Sequence, residues 1–324
     1  MKHAMSYLYR FLSQGETNGG GVHGSKQFRG ELLLNEPMSE HTTWRVGGPA
    51  DRFYKPADLQ DLAAFLRSLP KGEPLYWVGL GSNLLVRDGG IRGTVIYTTG
   101  LLAQMNIVGD NMLRVEAGVP CAKVARFGTH NDLIGAEFLA GIPGTMGGAL
   151  AMNAGAFGGE TWAIVRQVEM MNRQGKIVTR TPEEFEVGYR HVSGRDDEWF
   201  VAATLQLTPG DGEAAKQRIK ALLAKRGATQ PTKLPSCGSV FRNPPGDYAA
   251  RLIEAAGLKG IGRGGACVSE KHANFIVNMG GATAEEIETL LFWVQSQVEK
   301  QYGVKLVPEV KIIGDALDAE RVDG

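Results

Sequence analysis

Apolar residues recur at helical spacing in two well-defined stretches of this chain, one near each end. The first stretch follows Asp58, a helix-capping residue type, and stops at Pro70. The second begins at Thr283, where Glu286 three residues later completes a capping box. Each stretch places its apolar residues on one helix face: Leu59, Leu62, Ala63, Leu66 and Leu69 in the first, and Ile287, Leu290, Leu291, Val294 and Val298 in the second.

Short apolar runs between turns predict strands, and two further helical patterns lie among them. A helix is expected from Pro120 toward Asn131, and an amphipathic helix after the turn at Gly210. The predicted strands are Leu75–Val78, Thr94–Tyr97, Met112–Glu116, Val165–Met171, Lys176–Thr179, Val201–Leu207 and Pro308–Ile313. Because helices and strands do not alternate regularly, the pattern favours an α+β fold over a series of βαβ units.

The same pattern divides the chain into an extension and three folded units. Residues 1–30 are expected to form a disordered extension or linker, because Glu16–Ser25 is polar and rich in glycine. The predicted folded units are residues 31–98, to which 310–324 return, then 99–209 and 210–309.

Composition limits the classes of function. The 324 residues are 43 % apolar, enough for a large core shared by two or three domains. Basic and acidic residues number 35 each, so no net charge favours nucleic acid or an anionic membrane. The 3 cysteines form no CxxC pair, which favours a reducing compartment. With no apolar run long enough for membrane insertion and no signal peptide, we expect a cytoplasmic protein, and a monomer because no coiled-coil heptad stands out.

Two glycine-rich segments carry the first chemical signal. Residues 79–84 read GLGSNL, and residues 141–148 read GIPGTMGG, followed by Asn153–Ala156. Bare backbone of this kind permits close approach to a ligand, and its N–H groups can surround phosphates. Leu84 stands where a Rossmann fingerprint requires its third glycine, and no P-loop occurs. Each segment alone could be a tight turn, but together they predict a site for a dinucleotide pyrophosphate.

Three polar residues in separate segments carry the second signal. Ser239 lies between a glycine and a short apolar run, Arg190 follows an aromatic residue, and Glu309 begins an apolar strand. Taken singly, they are typical of a turn serine, a surface arginine and a strand-edge carboxylate. None of the 6 histidines pairs with another at metal-ligand spacing, and no paired-cysteine cluster occurs, so we predict no metal.

The order and spacing of these segments resemble the family of UDP-N-acetylenolpyruvoylglucosamine reductases. The resemblance extends from about Asn35 to Ala316, and the short stretch from Phe241 to Val268 is similar to the shorter-loop branch of the family. The matching motifs are HTTWRVGGPAD at 41–51, GLGSNLLVRDGG at 79–90, FLAGIPGTMGGALAMNAGAFGGE at 138–160, GYR at 188–190, LPSCGSVFRNP at 234–244, GLKGIGRGGACVSEKHANFIVN at 257–278 and PEVKIIG at 308–314.

The resemblance implies a PCMH-type FAD-binding fold in two parts, as in vanillyl-alcohol oxidases, with a third α+β domain for the substrate. It implies non-covalent FAD held by Arg45, Gly47, Gly79, Gly81, Ser82, Asn83, Leu84, Gly141, Ile142, Pro143, Gly144, Thr145, Gly148, Asn153 and Gly155. It also suggests a UDP-sugar partner, with substrate contacts expected at Tyr189, Arg226, Asn243, Lys271 and Asn274.

The resemblance further implies a reaction in peptidoglycan precursor synthesis. NADPH reduces the flavin, and the reduced flavin passes a hydride to C3 of the enolpyruvyl group of UDP-N-acetylglucosamine enolpyruvate. Ser239 would give a proton to C2, while Arg190 and Glu309 would stabilise the enolate-like intermediate. Two alternatives stay open: another PCMH-type flavin oxidase, which would share the glycine segments but not the three catalytic motifs, and a non-catalytic UDP-sugar-binding protein.

Overall fold

The computed structural model describes residues 28–317. Most of the predicted extension, residues 1–30, therefore lies outside the described residues. Its last part packs on the fold: Phe28 lies edge-to-face against Phe65 at 5.5 Å between ring centroids. The Arg29 backbone N–H donates to the Asp61 carboxylate at 2.8 Å. Residues 28–30 of the predicted extension thus pack on the fold, unlike the prediction for them.

The helices follow the local signals in the sequence closely. Asp58 caps the first helix by accepting from the Asp61 N–H, and the Thr283–Glu286 capping box forms at the last. All five apolar residues of the last helix stripe are buried. The α-helices of the described chain are α1 (Leu59–Ser68), α2 (Cys121–His130), α3 (Met146–Met152), α4 (Gly212–Thr229), α5 (Ala249–Ala255) and α6 (Ala284–Tyr302).

The strands include the predicted ones, with small shifts at their ends, and several short ones that the pattern did not predict. They are β1 (Glu31–Pro37), β2 (Pro49–Lys55), β3 (Leu75–Val78), β4 (Leu84–Val86), β5 (Ile91–Tyr97), β6 (Met105–Val108), β7 (Met112–Glu116), β8 (Leu133–Ile134), β9 (Gly155–Ala156), β10 (Gly159–Glu160), β11 (Val165–Asn172), β12 (Ile177–Arg180), β13 (Glu186–Gly188), β14 (His191–Ser193), β15 (Glu198–Gln206), β16 (Thr208–Pro209), β17 (Gly262–Arg263), β18 (Ala266–Val268), β19 (Ile276–Asn278) and β20 (Lys311–Ile313).

Three sheets form the framework. The first has the order β1-β2-β5-β3, with β2, β5 and β3 parallel, and α1 packs on it. The second is antiparallel, in the order β12-β11-β15-β7-β6, and packs against α2 and α3. The third, β17-β18-β19, is covered by α5 and α6. Each sheet packs against its own helices, and Met171 and Val201 of the second sheet also extend into the core under α1.

Two details of packing differ from the sequence-based division. Helix α4 was assigned to the third unit, but Ile219 in its first half lies in the core of the second sheet. Its buried residues are Gly212, Ala215 and Ile219, so only its first half behaves as an amphipathic helix. Strand β20 pairs in parallel with β4, so the end of the described chain returns to the first unit. The exact domain boundaries stay predictions.

The first and third units are joined by buried polar contacts. The indole N–H of Trp44 donates to the Ile276 carbonyl at 2.8 Å, and Trp44 itself is fully buried. The carboxylate of Asp88 accepts from the N–H groups of Ala284 and Glu285 at 3.0 and 2.9 Å, which caps α6 from another unit. The turn that follows β4 is thereby anchored to the third unit. No helix among residues 28–317 is both long and apolar enough to cross a membrane.

Candidate active site

The two glycine-rich segments meet in space. A Cβ on Gly79 would overlap the side-chain oxygen of Thr145, and a Cβ on Gly144 would lie 3.2 Å from the Ser82 hydroxyl. The Thr145 hydroxyl is buried and has no hydrogen-bond partner within the described part of the chain. Beside it, Gly148 faces open space, since a Cβ there would meet only Thr145 Oγ1, at 4.0 Å. An unpartnered buried hydroxyl next to bare backbone suits a ligand that accepts hydrogen bonds and approaches closely.

Other residues predicted to contact the cofactor have clear packing roles. A Cβ on Gly47 would lie 2.9 Å from Val86 Cβ, and Gly81, with φ of +64°, lies against the His41 carbonyl. A Cβ on Gly141 would overlap the Phe157 ring, and a Cβ on Gly155 would lie 2.5 Å from the Gly159 carbonyl. These glycines permit the two segments to adopt their shape, whatever they bind.

Three more predicted cofactor residues surround an open cleft. Arg45, Ser82 and Pro143 line one side, and Arg226 lies on the other. Burial lowers the pKa of the Arg226 guanidinium, and its Nε donates to Gln230 at 3.1 Å. Neither arginine has an ion-pair partner among residues 28–317. A cleft with two unneutralised guanidinium groups is suited to an anionic ligand.

Arg190 and Glu309 form the central ion pair of the site. They lie 119 positions apart in sequence, yet Arg190 Nε donates to Glu309 Oε1 at 2.9 Å. Arg190 occupies the turn of the β13–β14 hairpin with φ of +54°, and its other nitrogens donate to the carbonyls of Gly155 (2.9 Å) and Asn153 (3.3 Å). Burial raises the pKa of Glu309 above its ordinary value, while Arg190 and then Arg242 act in the opposite direction.

Asn153 supports the β13–β14 hairpin that carries Arg190. It ends α3 in the left-handed conformation, with φ of +44°. Its amide nitrogen donates to the Glu160 carboxylate and the Gly188 carbonyl, both at 3.1 Å, and its amide oxygen accepts from the Trp162 N–H at 3.1 Å. The side chain is thus fully engaged with protein groups, although the resemblance implied a cofactor contact.

Backbone pairing of the next residue, Val240, places Ser239 close to Glu309. The Val240 carbonyl accepts from the Glu309 N–H at 2.8 Å, and Phe241 pairs with Pro308 in an antiparallel bridge. Ser239 itself is half-buried. Burial and then the charge of Glu309 raise the pKa of the Cys237 thiol, two residues before Ser239. Long-range pairing therefore brings the three predicted catalytic residues to one region.

Three of the predicted substrate residues are engaged elsewhere. Asn274 bonds both the N–H and the carbonyl of Phe241, at 3.0 and 2.8 Å, and so supports the segment that carries Ser239. Asn243 accepts from the Ala249 N–H at 3.1 Å at the start of α5. Lys271 donates to the Gly227 carbonyl at 2.5 Å, near the end of α4. Asn274 is thus occupied by backbone, whereas Asn243 and Lys271 are exposed and keep unused donors, so their predicted substrate contacts stay predictions.

The other two predicted substrate residues keep exposed surface. Tyr189 is 47 % exposed, and the Arg190 guanidinium lies 5.1 Å from the centre of its ring. The other is Arg226, whose guanidinium has no ion-pair partner in the described chain. Asn83, predicted from sequence as a cofactor residue, also supports Glu309 in the structure. The amide nitrogen of Asn83 donates to the Glu309 carbonyl at 3.0 Å. Because the two residues are far apart in sequence, the glycine motif alone does not predict this contact.

Two family models and several known proteins match this chain. A family model described as FAD binding domain matches residues 50–181, and one described as UDP-N-acetylenolpyruvoylglucosamine reductase, C-terminal domain, matches residues 230–313. The UDP-N-acetylenolpyruvoylglucosamine reductase of Methylococcus capsulatus is 66 % identical over 288 residues, which cover 89 % of this chain and 95 % of that protein. This chain belongs to the UDP-N-acetylenolpyruvoylglucosamine reductase family.

Further relatives extend the same result. The UDP-N-acetylenolpyruvoylglucosamine reductase of Legionella pneumophila strain Corby is 63 % identical over 289 residues, covering 89 % of this chain and 94 % of that protein. The crystal structure of the reductase from Thermus caldophilus matches with a TM-score of 0.75 and 32 % identity, covering 88 % of this chain and 98 % of that one. The predicted family, the α+β fold with a PCMH-type FAD-binding part, and FAD as cofactor are confirmed.

Proposed function

We propose that this chain catalyses the NADPH-dependent reduction of UDP-N-acetylglucosamine enolpyruvate to UDP-N-acetylmuramate, a step of peptidoglycan precursor synthesis. Its membership of the reductase family supports the reaction. The observation that carries the site assignment is the Arg190–Glu309 pair at 2.9 Å, next to the Ser239 segment and the glycine-rich segments. The expected cytoplasmic location and monomeric state stay predictions.

The residues around Thr145 fit the pyrophosphate of FAD. The unpartnered Thr145 hydroxyl can donate to a phosphate oxygen, and bare backbone at Gly148 leaves room for it. Ser82, which lines the neighbouring cleft, offers a second hydroxyl. Bound FAD supplies hydride transfer from NADPH to C3 of the enolpyruvyl group. Arg226, which lines the same cleft and lacks a carboxylate partner in the described chain, would contact the substrate diphosphate, while Arg45 stays a predicted cofactor residue.

Arg190 and Glu309 are placed to act on the enolate that forms when C3 is reduced. Three contacts hold the Arg190 guanidinium in position, so it needs little reorganisation to stabilise the negative charge. Burial already favours the neutral form of Glu309, as its raised pKa indicates. An anionic substrate at Arg190 weakens the opposing effect of that arginine on Glu309. The carboxyl group would then stay protonated and donate a hydrogen bond to the enolate.

Ser239 is the proposed donor of the proton to C2. Only reduction of the enolpyruvyl group needs a proton at carbon, whereas reduction of the flavin by NADPH does not involve Ser239. Ser239→Ala should therefore slow the reaction with the enolpyruvyl substrate by about 10²–10⁴-fold and leave the NADPH reaction nearly unchanged. Anaerobic stopped-flow absorbance of the flavin measures the two reactions separately.

A matched control removes a hydroxyl outside the site. Ser68 lies on α1, where its hydroxyl donates to the Phe65 carbonyl at 2.6 Å, and Ser68→Ala should leave both reactions unchanged. If Ser239→Ala slows both reactions equally, the proton-donor role is wrong. If the flavin of the unmodified protein is reduced by NADPH but reoxidised only by oxygen, the reductase function itself is wrong and a flavin oxidase is favoured.

A further inference from the structure

The backbone next to Ser239 forms the middle of three segments that pair side by side. On one side, the Glu309 N–H donates to the Val240 carbonyl at 2.8 Å. On the other side, the Val240 N–H donates to the Asn274 carbonyl at 2.9 Å. Val240 therefore joins the segment of Glu309 to that of Asn274, and Ser239 is its immediate neighbour in the chain.

The side chain of Asn274 extends this pairing to the following residue. Its amide oxygen accepts from the Phe241 N–H at 3.0 Å, and its amide nitrogen donates to the Phe241 carbonyl at 2.8 Å. The side-chain amide thus makes the two bonds that a backbone residue makes in an antiparallel pair. Asn274 is 3 % exposed and Phe241 is 2 % exposed, so loss of these bonds would leave buried polar groups without partners.

Glu309 has supports that do not involve Asn274. The Asn83 amide donates to the Glu309 carbonyl at 3.0 Å, and Arg190 Nε donates to the Glu309 carboxylate at 2.9 Å. Two residues after Glu309, β20 begins its parallel pairing with β4. Loss of the Asn274 side chain should therefore leave Glu309 close to its place.

The backbone before Ser239 is less restrained. A bridge of Ser236 with Val277 anchors the chain upstream, but Gly238 lies between this bridge and Ser239. Gly238 has φ of +80°, and a Cβ there would meet no atom within 4 Å beyond its chain neighbours. A glycine in open surroundings restricts the backbone little. The position of Ser239 therefore depends on the residues after it, which are the ones that Asn274 holds.

We propose that Asn274 is a positioning residue for proton transfer, which sets the distance from the Ser239 hydroxyl to C2 of the enolpyruvyl group. The inference rests on the proposed function, because it concerns the proton donor of that reaction. A displacement of 1 Å can slow a reaction by about 10²-fold, so a residue that never touches the substrate can still control this step.

Removal of the amide tests the assignment. Asn274→Leu loses both side-chain hydrogen bonds and nearly keeps the shape of the side chain. In anaerobic stopped flow, reoxidation of the reduced flavin by the enolpyruvyl substrate should slow by about 10–100-fold, and reduction by NADPH should change by less than about twofold. The dissociation constant of UDP-N-acetylglucosamine for the oxidised, FAD-loaded protein, measured by calorimetry, should also change by less than about twofold. In deuterated water, the solvent isotope effect on reoxidation should increase, because proton transfer then limits the rate more strongly.

Asn278→Leu is the matched control. Asn278 is buried as well, and its amide also holds backbone: it donates to the Trp44 carbonyl at 3.0 Å and accepts from the Gly280 N–H at 2.8 Å. Neither of these bonds involves residues 239–241. Both variants lose buried hydrogen bonds and should lose stability, but the isotope effect should rise only in Asn274→Leu.

Two further variants keep the proposal testable. If Asn274→Leu does not retain FAD, Asn274→Asp replaces it, since aspartate has nearly the same shape and still accepts from the Phe241 N–H. A smaller, several-fold slowing with the same rise in isotope effect is then expected. In the double variant Ser239→Ala/Asn274→Leu, reoxidation should be at most about threefold slower than in Ser239→Ala alone, because residues that act as a unit are not additive.

The outcomes distinguish this inference from the function on which it rests. Equal slowing of both reactions, an unchanged isotope effect, or additive losses in the double variant would overturn the role of Asn274 and leave the reductase function intact. Absence of reoxidation by the enolpyruvyl substrate in the unmodified protein would instead remove the proposed function. Slower reoxidation with a larger isotope effect, absent from Asn278→Leu, would support Asn274 as the residue that positions Ser239.

Discussion

Replacement of Asn153 by alanine should destabilise the protein more than its small volume suggests. Asn153 is only 2 % exposed, and its side chain connects Glu160, Gly188 and Trp162 through hydrogen bonds of 3.1 Å. Its backbone is left-handed, with φ of +44°, a conformation that asparagine tolerates better than alanine. Two separate effects of the substitution therefore act in the same direction.

The magnitude follows from the groups that lose their partners. The Trp162 N–H and the Gly188 carbonyl each lose a partner, at about 1–3 kcal/mol for each buried group. Left-handed backbone adds roughly 1 kcal/mol for alanine relative to asparagine. The sum is about 3–7 kcal/mol, a large share of a typical unfolding free energy of about 5–15 kcal/mol. Asn153→Gly removes the same hydrogen bonds but tolerates the backbone, so it should cost about 1 kcal/mol less than alanine.

Urea titration of the FAD-saturated proteins, followed by tryptophan fluorescence, gives the change in the free energy of unfolding. FAD must be in excess throughout, because bound ligand itself adds to stability. Asn153 holds Gly188, which belongs to the hairpin that carries Arg190. Reoxidation of the reduced flavin by the enolpyruvyl substrate, measured by stopped flow, should therefore also slow in the alanine variant. An alanine variant within about 1 kcal/mol of the unmodified protein, or a glycine variant less stable than alanine, would refute this reasoning.

Three further predictions concern other parts of the molecule. Asp88→Ala removes the acceptor of two α6 N–H groups and should lower the free energy of unfolding by about 0.5–2 kcal/mol in urea titration, and an unchanged value would contradict the capping role. The pKa of Glu309 is raised by burial, so its neutral form predominates below that pKa. The rate at which the enolpyruvyl substrate reoxidises the reduced flavin, measured by stopped flow, should therefore be highest below the pKa of Glu309. It should fall as the pH rises through that pKa, and Glu309→Gln should abolish this pH dependence. Persistence of the same pH dependence in the variant would exclude Glu309 as its source. Gly148→Ala meets no protein atom closer than 4.0 Å and should add up to about 1 kcal/mol of stability to the FAD-free protein, by thermal unfolding. FAD affinity, by fluorescence titration, should fall in the same variant, and undiminished affinity would show that no ligand approaches this glycine.

Local sequence signals predicted the helix ends well. The contacts that cap α1 and α6 involve residues three positions apart, Asp58 with Asp61 and Thr283 with Glu286. Interactions of this range join residues close in sequence, so the helix starts could be predicted without knowledge of the fold. Helix α3 was missed, because Gly147 and Gly148 in its first turn are typical of loops, and its formation depends on the buried Met146, Ala149 and Leu150.

The polar motifs near Ser239 show where sequence reasoning reached its limit. Asn243 and Asn274 were predicted to contact the substrate, and each also supports nearby backbone in the structure. Asn274 and Phe241 are separated by 33 positions, so the partner of this amide depends on how two distant segments pack. A side chain that holds backbone and one that holds a ligand have the same residue type, and sequence alone does not distinguish them.

The sequence by itself determined the family, the α+β class with its FAD-binding part, and the identities of the polar residues available for chemistry. These depend on ordered motifs and on hydrophobic periods that span a few residues. Only the tertiary structure decided which of those residues meet. It paired Arg190 with Glu309 across 119 positions, engaged Asn153 with the hairpin and left Arg242 without a carboxylate among residues 28–317. The reason is physical: burial and pairing of a charged group depend on the packing of separate cores, which no local pattern encodes.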